Sequence, residues 1–187
     1  MSLSDAPHTD AAAFLDHALI EEAAKKSALL WVRRAGADTD RPLWHLWHEG
    51  AVLVVGDGAE QPLHGLADGE EVTVTVRSKD SWGRLVAWPA RVVEIGPAEE
   101  RWAAAVEELR AKRLNAPDHD TVAERWARES RVLRLEPSGS SSQRPGAMPD
   151  GSLAARPLPA PTITRREIPA ALPRLVLGRR KRKRAES

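Results

Sequence analysis

The sequence predicts a mainly β, α+β body, an antiparallel barrel or sheet capped by helices, followed by a disordered tail. Three observations carry this: short apolar runs alternate with polar residues between residues 28 and 95, helical periodicity flanks those runs, and eight of the fourteen prolines fall in the last 51 residues.

Taken in order, "TDAAAFLDHALIEEAAKKS" (9–27) is alanine-rich, has Thr9 or Asp10 as N-cap candidates and ends near Lys25 and Lys26, which predicts a helix. Phe14, Leu15, Ala18, Leu19 and Ala23 share one face of it, which should pack on the strands C-terminal to it. "ALLWVRR" (28–34), "PLWHLWH" (42–48) and "AVLVVG" (51–56) read as consecutive strands, with a tight hairpin at Glu49-Gly50. "EVTVTVRSK" (71–79) alternates, with Val72, Val74 and Val76 inward and Thr73, Thr75, Arg77 and Lys79 on the other face. "DSWG" turns the chain into "RLVAWPARVVEI" (84–95), where Val86, Trp88, Ala90 and Val92 share a face and Pro89 marks an edge or a bulge. A helix over 98–115 presents Trp102, Val106 and Leu109, with Arg113 or Leu114 completing the stripe; a further helix (119–130) and a last strand (131–137) complete the body. The five successive apolar residues of "AVLVV" leave neither face of that strand polar, so both must be covered, by core on one side and by a helix or a partner subunit on the other.

Composition narrows the chemistry. The chain has no cysteine, which excludes disulfides, thiolate nucleophiles and cysteine-based metal sites. No apolar stretch approaches the roughly 18 to 20 residues that span a bilayer, and "MSLSDAPHTD" lacks a basic region followed by an apolar one, so the expected compartment is the cytoplasm. The net charge of +1 hides an asymmetry: residues 1–136 hold 17 basic against 24 acidic residues, and residues 137–187 hold 11 against 3. This divides the chain into a body (9–136) and a Pro/Ser-rich linker with a basic tail (137–187). Within the tail, 162–178 is apolar enough to dock on a partner or on the body, and Arg179 to Arg184 form a continuous basic run suited to nucleic acid or another anionic partner.

The order helix, "LLWVRR", "RPLWHLWHEGAVLVV", "EQPLHGL", "EVTVTVRSKDSWGRLVAWPARV", helix, "ERWARESRVLRL" resembles the pyridoxamine 5′-phosphate oxidase-like, FMN-binding split-barrel superfamily, and within it an actinobacterial branch. The resemblance covers about residues 11–136 and rests on the layout of strands. It implies a six-stranded split barrel, a homodimer, and a flavin, either FMN or the deazaflavin F420, held at the dimer interface. It further implies an oxidoreductase working by hydride transfer through that cofactor, which needs few catalytic side chains. None is assigned here: the chain holds no G-x-S-x-G, H-E-x-x-H, Walker A or G-x-G-x-x-G motif.

A flavin phosphate requires cationic or hydroxyl donors. Residues 56–71, "GDGAEQPLHGLADGEE", contain no Lys, Arg, Ser or Thr, and carry five carboxylates and His64. The expected cofactor-binding residues are therefore Arg77, Ser78, Lys79 and Arg84, with Trp82 covering the anion; Arg33 and Arg34 are the other cations available. The rival reading is a solvated hairpin end on a split barrel without cofactor, an interaction module whose basic tail makes the contact. Alternation separates His45 and Trp47 from Trp44 and His48, so these four do not act as one cluster on one strand; the first reading is packing in the barrel wall and the second is ring stacking against a flavin, and no metal site is expected there.

Overall fold

The computed structural model describes residues 6–80, 83–113, 118, 120–149 and 151. The alanine-rich opening becomes α1 (Ala6–Lys26), whose last turn carries Lys25 and Lys26 against the negative end of the helix dipole. Its buried positions are Asp16, Ile20, Ala23 and Ala24, while Phe14 and Leu15 are 73% and 67% exposed. The expected stripe is thus rotated. The reason is Asp16, which accepts hydrogen bonds from the Ser141 N–H (2.6 Å) and the Ser141 hydroxyl, a pairing across 125 positions that apolar periodicity cannot register.

The strands follow the predicted alternation. They are β1 (Leu29–Arg34), β2 (Arg41–Trp44), β3 (Leu46–His48), β4 (Ala51–Gly56), β5 (Glu71–Arg77), β6 (Arg84–Ile95) and β7 (Arg131–Pro137), all in one antiparallel sheet of order β2-β1-β5-β6-β7-β4-β3. The predicted strand 42–48 is present but divided at His45. Its first part pairs with β1 (Leu43 opposite Leu30) and its second with β4 (Trp47 opposite Val52). The two ends of the sheet are therefore two halves of one strand, and six strands close into a split barrel with a seam at His45.

The seam is bridged by a side chain. Gln61 accepts from the Trp44 N–H (2.6 Å) and donates to the carbonyls of Trp44 (2.8 Å) and Val55 (3.0 Å), so its amide stands in for the missing ladder between the diverging strands. The Glu49-Gly50 hairpin has positive φ at both residues, 46° and 77°, the pattern that suits the right-handed twist of its flanking strands.

Inside the barrel, Val32, Val54, Val74, Trp88 and Leu135 meet Ile20, Ala23 and Ala24 of α1, while Leu63 and Leu66 of the loop 57–70 enter the same core. α1 leads into the start of β1 and this loop sits beside its end, so the two close opposite ends of the barrel. A second core lies outside: Leu53, Val55, Ile95 and Val132 pack against α2 (Glu100–Lys112) and α3 (Val122–Glu129) through Val106, Leu109, Val122 and Trp126. All six residues of β4 are buried, covered on their outer face by these helices rather than by a second subunit.

The barrel unit extends past the boundary the sequence indicates at 136. Among the described residues, 138–143 are hydrogen-bonded to the barrel beyond that boundary. β7 pairs only with Ala90–Ile95 of β6, leaving the first half of β6 with an open edge. Residues 138–143 cover it: Ser138 N–H donates to Pro89 O (3.0 Å), Ser142 N–H to Ala87 O (2.8 Å), and Ala87 N–H to Gln143 O (2.9 Å). Segment 162–178 and the run Arg179 to Arg184 lie outside the described residues.

Candidate functional site

Three of the expected anion-binding residues meet in one groove. β5 runs out of its ladder with a register shift between Val76 and Arg77, and the Ser78 N–H then donates to Gly83 O (2.8 Å). This irregularity turns Arg77, Ser78 and Lys79 toward the last turn of α1, where Lys25, Lys26 and Ser27 form the opposite wall of a groove of about 610 Å³. Leu19, Val76 and Leu85 provide its apolar floor. Among its lining residues four cations face two carboxylates, Glu22 and Asp80; Lys26 is paired with Glu22 and Lys25 with Glu21 of the same helix.

Arg77 is the most constrained of these cations. Its guanidinium lies 4.6 Å from the centre of the Trp31 ring, and its Nε is buried with no hydrogen-bond partner among the described residues. A buried guanidinium N–H without an acceptor is costly unless a ligand or water completes it. Arg84 lies elsewhere: its Nη2 donates to the carbonyls of Pro149 (3.3 Å) and Gly151 (2.6 Å), and it does not line the groove. Trp82 lies outside the described residues.

The other cations of the first strand are engaged. Arg33 pairs with Asp40 (2.6 Å) and Arg34 with Glu70 (2.8 Å).

The acidic loop is a structural tie. Glu60, its side chain 4% exposed, meets Arg113 (3.1 Å) and Arg125 (3.0 Å) and accepts from the Trp126 indole N–H (2.9 Å). Burial alone would raise its carboxyl, but the hydrogen bonds from Trp126 and Arg125, with the charges of Arg113 and Arg125, hold it below the ordinary carboxylate range. Asp57 accepts from the Leu63 N–H, Asp68 from the Glu94 N–H, Glu70 from the Ala67 N–H, and Glu71 from the Ser138 hydroxyl. Each carboxylate of the segment thus has a partner within the fold.

The Trp/His stretch divides as its alternation predicts. His45 and Trp47 are buried, His45 Nε2 lying 3.0 Å from Ala24 O and Trp47 making an edge contact with His17 (6.0 Å). Trp44 is half-buried on the other face beneath Arg113 (5.7 Å). At the seam, Trp44, His45 and Trp47 nevertheless line a cleft of about 520 Å³ together with Glu108 and Lys112 of α2. Lys25 and Ser27 line both this cleft and the cationic groove, so the two recesses adjoin at the end of α1. Sequence reasoning gives Lys25 and Lys26 only a dipole-compensating role. Their place in the groove depends on how α1 docks, which no local signal conveys. Among the described residues no group of three or more His, Asp or Glu side chains is arranged to hold a metal ion.

No family model matches the chain, and no curated protein matches it either. Similar solved structures include the heme storage protein HutZ from Vibrio cholerae (11% identity, TM-score 0.49, covering 65% of this chain and 89% of that one). Others are the FAD binding protein from Mycobacterium smegmatis (15%, TM-score 0.44, 65% and 89%) and the flavocytochrome Anf3 from Azotobacter vinelandii (17%, TM-score 0.44, 83% and 85%). At such values the split barrel of this chain stands on its own strand pairings.

Proposed function

We propose that this chain is a flavin-nucleotide-binding split-barrel protein whose cofactor, FMN or F420, occupies the adjoining recesses at the end of α1. The observation that carries the reading is the junction of a cationic groove with an aromatic cleft through Lys25 and Ser27, because a flavin nucleotide joins a phosphate to a planar ring. Arg77, Lys79, Lys25 and Lys26 would hold the phosphate, with Ser78 beside them, and Trp44 and Trp47 would meet the ring. The residues fit the group: Arg77 Nε awaits an acceptor, and the groove's cations outnumber its carboxylates. A bound flavin supplies hydride transfer, which would make the protein an oxidoreductase. The chain's own part is to bind the anion, keep it between fixed charges and shield the ring from water. The reading includes a homodimer, for which sedimentation of the full chain is the check.

The first measurement is the visible absorbance of the purified full chain, followed by quenching of its seven tryptophans with added FMN and F420. Saturable quenching is expected, weakened about tenfold or more by Arg77→Ala and by Lys79→Ala, since each removes a charge-assisted contact. A colourless protein unmoved by either cofactor favours the second reading, a cofactor-free interaction module with the basic tail as its contact. That reading is supported by the loop 57–70, which contains no Lys, Arg, Ser or Thr to meet a phosphate.

A further inference from the structure

We propose that the opposite mouth of the barrel, beside Arg34 and Arg41, binds a small organic carboxylate with an apolar body. A recess of about 280 Å³ opens there between the end of β1, the start of β2 and the loop 57–70. Val32, Leu43, Leu63 and Leu66 form its floor, and all four belong to the barrel core. Arg34, Thr39, Arg41 and His64 form its rim.

The charge at the rim has a definite sign. The nearby carboxylates are already used: Asp40 holds Arg33 at 2.6 Å, and Glu70 holds the Nε of Arg34 at 2.8 Å. Glu70 meets the single charge of Arg34 through Nε, so Arg34 offers the rim N–H donors rather than free charge. Arg41 is exposed and pairs with no carboxylate among the described residues. The rim therefore carries one unmatched positive charge, that of Arg41, above an apolar floor.

The loop backbone shapes this opening. His64 and Gly65 both have positive φ (55° and 75°), and the Leu66 N–H donates to Leu63 O (3.2 Å), so the tight turn sends both leucines into the barrel while leaving His64 at the rim. At Gly65 a Cβ would stand 3.3 Å from Arg34 Nη1, so the glycine leaves room for that guanidinium. A cavity of about 150 Å³ is enough to hold benzene. A recess of about 280 Å³ accordingly suits one ring or a short alkyl chain with a carboxylate reaching back to the arginines.

The site lies at the other end of the barrel from Arg77 and Lys79 and does not depend on the flavin reading. The test is isothermal titration of the full chain with phenylacetate, 2-phenylethanol and acetate. Phenylacetate should bind saturably, with the neutral alcohol and the bodiless acid each at least about tenfold weaker. Arg41→Ala should weaken phenylacetate about tenfold or more, Arg41→Lys should recover part of the loss, and Arg77→Ala should leave it unchanged. Arg41 is exposed on its strand, so its removal spares the core, and circular dichroism of each variant verifies the fold. Absence of saturable heat with phenylacetate, an affinity indifferent to Arg41, or equal binding of acetate and phenylacetate overturns the proposal. A loss caused by Arg77→Ala would overturn it too, by moving the probe to the other groove.

Discussion

At the scale of single residues, His45 is the side chain with most to lose from a change of pH. It is 6% exposed, its Nδ1 is buried without a partner among the described residues, and its Nε2 reaches Ala24 O. Burial pushes its pKa below the ordinary value, more than the Ala24 carbonyl raises it. A base whose folded pKa is depressed contributes stability that is present above its unfolded pKa and is lost as pH falls through the folded one. The protein should therefore lose stability as pH drops below about 6.5, and His45→Leu should flatten that slope in urea titrations between about pH 7.5 and 5. An equal slope in both proteins would contradict the assignment. That His45 and Trp47 share a face is legible from alternation alone, because a strand's period of two leaves little choice; that this face is the inner one is not. Asp16 and Gln61 are not legible. Both are polar residues whose partners, Ser141 and the Trp44 backbone, lie far along the chain or on another element, and polarity alone reads as exposure.

At the scale of elements, the loop 57–70 shows how composition can mislead about role. Its carboxylates read as a poor phosphate cradle, and in the structure they bind the loop to α3, β6 and β7. Glu60 is central, joining Arg113, Arg125 and the Trp126 indole. Glu60→Ala should cost about 3 kcal/mol in chemical denaturation, since it leaves partly buried guanidinium groups and an indole N–H uncompensated. Gln61→Ala should cost about 2 kcal/mol by freeing the backbone groups of Trp44 and Val55. If either variant were as stable as the parent, water would have to replace these bonds without penalty. Close approach holds the same loop in place: a Cβ on Gly56 would stand 2.4 Å from Gln61 O, so Gly56→Ala should displace the loop from β4. The strands themselves are legible because their apolar faces repeat. The groove is not, because it is made by the docking of α1 against a β5 irregularity.

At the scale of the whole molecule, the segment after β7 belongs to the barrel unit. A boundary drawn from proline and serine content ignores the edge of β6, which needs a pairing partner whatever the composition of the covering chain. A chain ending at Glu136 would lose the pairing to Ala87 and the partners of Asp16; one ending at Leu153 would keep both. The shorter chain should melt on the order of 5–10 °C lower and aggregate on heating, whereas equal melting curves would show the covering segment 138–143 to be dispensable. Among the described residues no helix is long and apolar enough to cross a membrane.

The division at His45 also bears on how the barrel moves. A strand that belongs to one ladder before residue 45 and another after it joins the two edges of the one sheet, and across that line only the chain itself and the Gln61 amide replace a ladder. The cheapest excursion from the native state is thus a parting along that line, and amide hydrogen exchange should find residues 41–44 and 46–48 opening as separate cooperative units. A ligand gripping Trp44 on one side and Trp47 on the other would fasten both halves together and slow the exchange of both at once.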